Sequence, residues 1–181
     1  MNRSGTGEES SRGTLVRPSK PLYKTLYDLA NCYNESAEII LSTIITTKAT
    51  EFIAPAIMCR SFAIELLLKF FIAIEKPAAR SKSDLGEIED NLRGHKYSEL
   101  FDRLDNTYQL LIVECFSDLA VQNTSKDLFR EHLINLGDDP FVKWRYIYES
   151  PTTKHIDIKL LGLIAKSLGL VAYKETQRKI S

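Results

Sequence analysis

Four short segments of this chain carry side chains that could bind a ligand or take part in a reaction. One is an apolar segment interrupted by charges, and one is a compact basic run next to a glycine. One is rich in aromatic residues, and the last holds an arginine and a histidine two positions apart. In order, these residues are Arg60, Glu65 and Lys69; Arg93, Gly94, His95 and Lys96; Lys143, Trp144, Arg145, Tyr146, Tyr148 and Glu149; Arg130 and His132.

Each segment has a structural interpretation beside the functional one. Glu65 and Lys69 are four residues apart, so on a helix they pair on one face, and a structural pair is the default expectation. The basic run at 93–96 fits a solvated loop as well as a binding site. Arg130 and His132 lie on different faces of a helix, which argues against a joint role.

The aromatic segment 141–149 is β-prone but isolated, so it predicts an extended stretch packed on the rest of the chain. Trp144, Tyr146 and Tyr148 fit packing groups better than platforms for stacking bases. Arg145 among them fits equally a stacked structural cation and a site residue.

Recognisable catalytic and cofactor motifs are missing from the sequence. None of the eight glycines falls in a GxxxxGK or GxGxxG spacing, and no GxSxG elbow occurs. The three histidines, His95, His132 and His155, are far apart and form no HExxH or Cys/His cluster. We therefore expect no metal site and no cofactor.

Composition predicts a globular domain in a reducing compartment. Hydrophobic residues make up 44% of the 181 residues, and 24 Lys and Arg balance 24 Asp and Glu. Nucleic-acid binding would therefore need a local basic patch. The apolar stretch 62–74 is too short for a bilayer and the N-terminus lacks a signal peptide, so we expect a cytoplasmic protein with no membrane contact. The cysteines Cys32, Cys59 and Cys115 are expected to be buried.

Hydrophobic spacing predicts helices throughout. Apolar residues recur every three or four positions from Tyr23 to Ile45, which indicates a long amphipathic helix that weakens over 42–47. A second helix is expected to run from near Pro55 to about Glu75, and its apolar surface places it at the centre of a bundle.

The second half of the chain predicts shorter helices after a polar connection at 78–94. Helical spacing resumes over 97–104, Asn106-Thr107 and Thr124 are candidate caps, Gly137 is a stop, and a last helix begins near 156. We predict an all-α, antiparallel helical bundle over 20–175, with one irregular aromatic segment before the last helix. Residues 1–19 are expected to be a disordered tail, and 176–181 a C-terminal tail.

Three stretches of the chain resemble HEPN-domain proteins. Ser61-Phe-Ala-Ile-Glu-Leu-Leu-Leu-Lys69 is similar to the central HEPN helix, and Gly94-His-Lys-Tyr-Ser-Glu-Leu-Phe-Asp-Arg-Leu104 resembles the Gly-His helix opening of many members. Phe141-Val-Lys-Trp-Arg-Tyr-Ile-Tyr-Glu149 resembles the segment before the last helix in one branch. The order and spacing agree over about 22–172.

The resemblance implies a bundle, commonly dimeric, from prokaryotic toxin–antitoxin, anti-phage or RNA-processing systems. Its active members are metal-independent ribonucleases with an Arg, four to six residues, then a His. This chain lacks that motif: Arg93–His95 and Arg130–His132 are too close, and nine residues separate Arg145 from His155.

We therefore expect a HEPN-like domain without catalysis, which binds RNA, a nucleotide or a partner protein and forms a homodimer. One alternative is a divergent ribonuclease that uses Arg145 with His95 or His155. Another is a pure interaction module. The expected binding residues are Glu65, Lys69, His95, Arg145 and Tyr148.

Overall fold

The structure is a computed structural model that describes residues 21–75, 90–137, 141 and 156–180. Six α-helices account for most of these residues, and no strand occurs among them, which confirms the all-α bundle. In chain order the helices are α1 (Leu22–Thr47), α2 (Ile53–Ile74), α3 (Tyr97–Asp102), α4 (Asn106–Ala120), α5 (Lys126–Asn135) and α6 (Ile158–Ile180).

The helices α1 and α2 form an antiparallel hairpin. Lys48 ends α1 in the left-handed conformation, with φ +62°, and a 3₁₀ turn at Thr50–Phe52 leads into α2. The second helix begins two residues before Pro55, which lies in its first turn where a missing N–H costs nothing. Edge-to-face packing of Tyr33 on Phe62 is one contact between the two helices.

The central position predicted for α2 is confirmed. Most of its residues are buried, and Ile64, Leu68, Phe70 and Phe71 are fully enclosed. Each large apolar side chain removed from water contributes roughly 1.5–3 kcal/mol, so this helix provides much of the stabilising burial. The neighbouring helices α1, α3 and α6 pack around it.

Several local predictions need correction. Asp105 caps α4 by accepting the Thr107 N–H at 2.7 Å, and Ser125 caps α5 by accepting the Leu128 N–H at 3.1 Å. The predicted caps Asn106-Thr107 and Thr124 were therefore each one residue off. Gly137 does follow α5, with φ +104°.

Two further differences concern the termini and the cysteines. The helix α6 continues to Ile180, so residues 176–180, expected as a tail, are helical, and Thr176 is buried on the bundle. Cys32 is exposed, and Cys59 and Cys115 are half-buried rather than enclosed.

No helix among the described residues is long and apolar enough to cross a bilayer. The predicted tail at 1–19, most of the 78–94 connection and the aromatic segment after Phe141 lie outside the described residues.

Candidate functional site

A buried carboxylate stands at the centre of the candidate site. Glu65 is 2% exposed, and its Oε1 accepts a hydrogen bond from Lys69 Nζ at 2.7 Å. The same oxygen lies 3.0 Å from Nδ1 of His95. The predicted pair of Glu65 and Lys69 is confirmed, and the structure adds His95, 30 residues along the chain, to it. We call these three residues the Glu65 cluster.

Two elements position the Glu65 cluster. The helix α2 places Glu65 and Lys69 one turn apart, while His95 comes from the turn that precedes α3. Gly94 opens that turn with φ +99°, a conformation that a side chain would strain. The Tyr97 hydroxyl donates to the Ser61 carbonyl oxygen at 2.5 Å, so the start of α3 is joined to α2 beside the cluster.

Arg103 also fixes the backbone of the turn that carries His95. Its Nη1 donates to the carbonyl oxygens of Asn91 at 3.2 Å and Arg93 at 2.6 Å. Its guanidinium would also lie 3.6 Å from a Cβ at Gly94. The backbone that carries His95 is thus fixed by contacts on both flanks, which restricts where the imidazole can lie.

Polar atoms of α2 near the cluster remain available for a further bond. Glu65 Oε2 and Ser61 Oγ are both buried and have no hydrogen-bond partner among the described residues. The two residues are four apart and so share a helix face. Sequence reasoning missed Ser61 and Tyr97 as site residues. Ser61 could have been found from its spacing to Glu65, whereas the contact of Tyr97 spans 36 residues.

The contact between His95 and Glu65 decides what the imidazole can do. Nδ1 can donate to the carboxylate in the neutral tautomer protonated there or in the imidazolium. Nε2 is then left to accept or to give a proton, and the His95 side chain is 53% exposed. A carboxylate that orients a solvent-accessible imidazole is an arrangement suited to acid–base chemistry or to holding an anion.

The described residues around the cluster are dense in charge. Among them four cations, Lys69, Arg93, Lys96 and Arg103, face three carboxylates, Glu65, Asp90 and Glu99, so within this described set one positive charge remains before His95 is counted. Arg93 pairs with Asp90 at 3.1 Å, and its side chain is 79% exposed. These exposed pairs are weak and can exchange for an anionic ligand.

The other candidate residues from the sequence either lie outside the described residues or have separate surroundings. Arg145, Tyr148 and His155 lie outside the described residues. Arg130 makes a two-pronged contact with Asp102 at 2.7–3.0 Å, and that carboxylate raises the pKa of the guanidinium. The His132 ring instead packs on Phe116 with centroids 5.6 Å apart. The two residues have separate surroundings, as their spacing predicts.

Arg60, which the sequence placed beside Glu65, occupies another junction. Its buried guanidinium pairs with Glu38 of α1 and lies close to Gly162 of α6, where a Cβ would come within 2.9 Å of Nη1. Gly162 therefore makes the room for this arginine. Arg60 ties three helices together and does not join the Glu65 cluster.

A second buried carboxylate, Glu175 of α6, lies beside an open cleft of about 360 Å³. It accepts from Arg178 at 2.9 Å and from the Tyr108 hydroxyl at 3.3 Å. Burial, followed by the charge of Glu175, raises the pKa of Tyr108 to about 12. Another cleft, of about 400 Å³, lies over Asp102, Asn106 and Lys126.

Among the described residues no group of three or more His, Cys, Asp or Glu is arranged to hold a metal ion. Burial raises the pKa of the Cys59 and Cys115 thiols, which disfavours the reactive thiolate.

Comparisons of the chain with models of known protein families, with curated proteins and with solved structures find no match.

Proposed function

We propose that the chain is a HEPN-like helical domain that binds RNA on the surface around the Glu65 cluster and does so without catalysis. The observation that carries the proposal is the contact of a half-exposed His95 with the buried Glu65 carboxylate beside Lys69. It brings together three of the residues that the resemblance marks, from two separate motifs. The absence of the Arg-x4–6-His motif favours binding over cleavage.

The charges of the turn support a phosphate-bearing ligand. Arg93 and Lys96 flank His95, and both have exposed side chains whose present partners are exposed carboxylates. Exchange of these weak pairs for phosphate oxygens costs little, and release of counterions from RNA favours it. With Nδ1 bonded to Glu65, Nε2 of the half-exposed His95 is a further polar atom that the ligand can reach.

The exposed cations of the turn favour RNA over a free nucleotide. The two clefts described above, beside Glu175 and over Asp102, are lined by side chains other than Glu65, Lys69 and His95. A nucleotide needs an enclosing pocket for its base, whereas an extended backbone can be held by a row of exposed cations.

The test is a binding titration of the purified protein with a mixed pool of single-stranded and structured RNA over a series of salt concentrations. The double variant Arg93→Ala/Lys96→Ala should bind at least about tenfold more weakly and show a shallower dependence on salt, by about one to two in the log–log slope. Lys166→Ala, an exposed lysine of α6, is the matched control and should bind like the wild type. Equal affinities and slopes for all three proteins would contradict the proposal.

A divergent, metal-independent ribonuclease is the second candidate, and the bond between His95 Nδ1 and Glu65 is the observation that favours it. In this alternative His95 acts as general acid or base, and Arg145 stabilises the negative charge that develops on the phosphoryl oxygens. Cleavage of the RNA pool in EDTA that is lost in both His95→Ala and Arg145→Ala would establish it. Cleavage lost instead in His155→Ala would assign the proton transfer to that histidine. No cleavage by any of these proteins supports the binding role.

The remaining parts of the proposal rest on the family resemblance. They are a homodimer in the cytoplasm of a prokaryote, within a defence or stress-response system, with a partner protein of the same system as a further ligand. A chain that dimerises but binds no RNA would be the interaction module of the third alternative.

A further inference from the structure

The cleft over Asp102 lies at the opposite end of α3 from the turn at 93–96, and we call it the Asp102 cleft. Its volume is about 400 Å³, and it is formed where α3, α4 and α5 meet. The helix α3 has six residues and is therefore about 9 Å long, so one RNA strand held at the turn can reach the cleft. A volume of this size is in the range of pockets that hold small organic ligands.

Two cations of α5 line the Asp102 cleft and can make further hydrogen bonds. Lys126 Nζ donates to the neutral amide oxygen of Asn106 at 3.3 Å, and it pairs with no carboxylate of the described residues. Arg130 holds Asp102 through Nε and Nη2, which leaves its Nη1 without a partner in the described part of the chain. Lys126 and Arg130 are four residues apart and so share a face of α5. An anion in the cleft could therefore bind both cations.

Gln109 adds a buried acceptor to the cleft. It is 7% exposed, and its Nε2 donates to the Phe101 carbonyl oxygen at 2.8 Å. This bond fixes the orientation of the amide, because the flipped amide would place two oxygen atoms against each other. The amide oxygen, Oε1, has no hydrogen-bond partner among the described residues, and Gln109 lines the cleft. An N–H group of a ligand would satisfy this oxygen.

The Asp102 cleft thus combines cations with acceptors. Asp127, which follows Lys126 in α5, also lines it and accepts no hydrogen bond from another side chain of the described residues. A free phosphate ion would be repelled by this carboxylate. A ligand with a phosphate at one end and N–H donors at the other matches both sets of groups, and a nucleotide has this composition.

We propose that the Asp102 cleft binds one unpaired nucleotide of the RNA, with its phosphate on Lys126 and Arg130 and an N–H group of its base on Gln109 Oε1. In a duplex the base is stacked and its edge is paired, so only an unpaired nucleotide can enter the cleft. The cleft therefore makes the domain prefer single-stranded RNA. This inference rests on the RNA binding proposed above and adds the site at which single and double strands are distinguished.

Titrations with a short single-stranded RNA and with the duplex of the same strand and its complement test the preference. The wild type should bind the single strand more tightly. Lys126→Ala should weaken binding of the single strand at least about fivefold and leave binding of the duplex within about twofold. Lys174→Ala, an exposed lysine of α6, is the matched control and should leave both affinities unchanged. Arg93→Ala/Lys96→Ala should weaken both, because the turn holds the backbone of either form.

Filling the cleft is the second test. Asn106→Trp places a large ring there and should lower the affinity for the single strand to that for the duplex. Asn106 is exposed and Asp105 provides the cap of α4, so the variant keeps the capping bond. Asn135→Trp, at an exposed position at the far end of α5, is the control and should bind like the wild type. Unchanged circular dichroism and urea midpoints would show that both variants fold.

The side-chain amide signals of Gln109 in ¹⁵N NMR spectra report the base contact directly. They should shift when the single strand is added and stay in place with the duplex.

The outcomes separate the cleft from the function. If neither RNA binds, the proposed RNA binding is wrong and the cleft has no such ligand. If both RNAs bind equally and only the double variant of the turn binds weakly, RNA binding stands and the nucleotide site is overturned. If Lys126→Ala weakens both RNAs equally while Asn106→Trp weakens neither, Lys126 is a backbone contact, and the nucleotide site is again overturned.

Discussion

Two buried carboxylates in this bundle have the same kinds of neighbour, but those neighbours differ in their exposure to solvent. Glu65 and Glu175 are 2% and 7% exposed. Each accepts a hydrogen bond from a cation one turn further along its own helix, and each contacts a ring from another segment. The cation and the ring are Lys69 and His95 for Glu65, and Arg178 and Tyr108 for Glu175.

The cations differ most in burial. The side chain of Lys69 is 14% exposed, so Glu65 and its cation are withdrawn from water together. The side chain of Arg178 is 70% exposed and can return to solvent when its partner is removed. Removing one member of a buried ion pair costs much stability, because it leaves an uncompensated buried charge. Removing one member costs little when the other can be solvated by water.

The rings differ in their exposure to solvent. His95 is half exposed, and its Nε2 can accept or give a proton when Nδ1 is bonded to Glu65. Tyr108 is buried with a pKa of about 12 and stays protonated. The same arrangement of acid, cation and ring is therefore suited to ligand chemistry at Glu65 and to structure at Glu175.

The largest expected effect is the loss of the Glu65 carboxylate. Glu65→Ala should lower the free energy of unfolding by about 3–5 kcal/mol, because it leaves Lys69 buried without its counter-charge. Glu175→Ala should cost about 1–2 kcal/mol, mainly through the stranded Tyr108 hydroxyl. Urea unfolding of both variants measures the difference, and equal losses would show that burial of the cation does not separate the two sites.

Removing the cation should also cost more unfolding free energy at Glu65 than at Glu175, and both losses should be smaller than those caused by removing the carboxylates. Lys69→Met is expected to cost about 2–3 kcal/mol, since Glu65 keeps only the His95 contact in a buried position. Arg178→Met should cost less than about 1 kcal/mol because its side chain is largely in solvent. Urea midpoints compared at one pH would check this, and a larger loss for Arg178→Met would reverse the comparison.

Alkaline pH should remove the stabilisation that Tyr108 provides. Its folded pKa of about 12 lies above the ordinary value of 10, so the native state holds the proton while the unfolded chain loses it. The stabilisation is complete below pH 10 and disappears as pH rises toward 12. The gap in unfolding free energy between wild type and Tyr108→Phe should therefore narrow over that window. A constant gap would contradict the raised pKa.

Local patterns in the sequence were enough to predict much of this fold. The periods of three and four in α1, α2 and α6 identified the helices, because burial on one face requires that spacing. The pair of Glu65 and Lys69 followed from helix geometry alone. The caps were displaced by one residue because Asp105 and Ser125 stand beside residues of equal capping propensity.

Contacts between distant segments could not be obtained in this way. Spacing carries no information on how the turn at 93–96 docks, so the contact of His95 with Glu65 needed the structure. The family resemblance marked both residues as binding candidates without showing that they touch. Cys32 was expected to be buried because it lies in an apolar periodic segment, but the buried positions of α1 are Leu26, Ala30 and Ala37, and Cys32 is exposed.

His95 combines a small expected effect on stability with a large expected effect on binding. His95→Ala should cost less than about 1 kcal/mol of unfolding free energy, because the imidazole is half exposed and Glu65 keeps Lys69. RNA affinity should nevertheless fall at least about tenfold, because the imidazole is the most exposed side chain of the Glu65 cluster. Tyr108→Phe provides the control, as a ring variant at the other carboxylate that should leave RNA affinity unchanged. If His95→Ala proved strongly destabilising and bound RNA like the wild type, His95 would be a structural ring like Tyr108, and the contrast between the two carboxylates would fail.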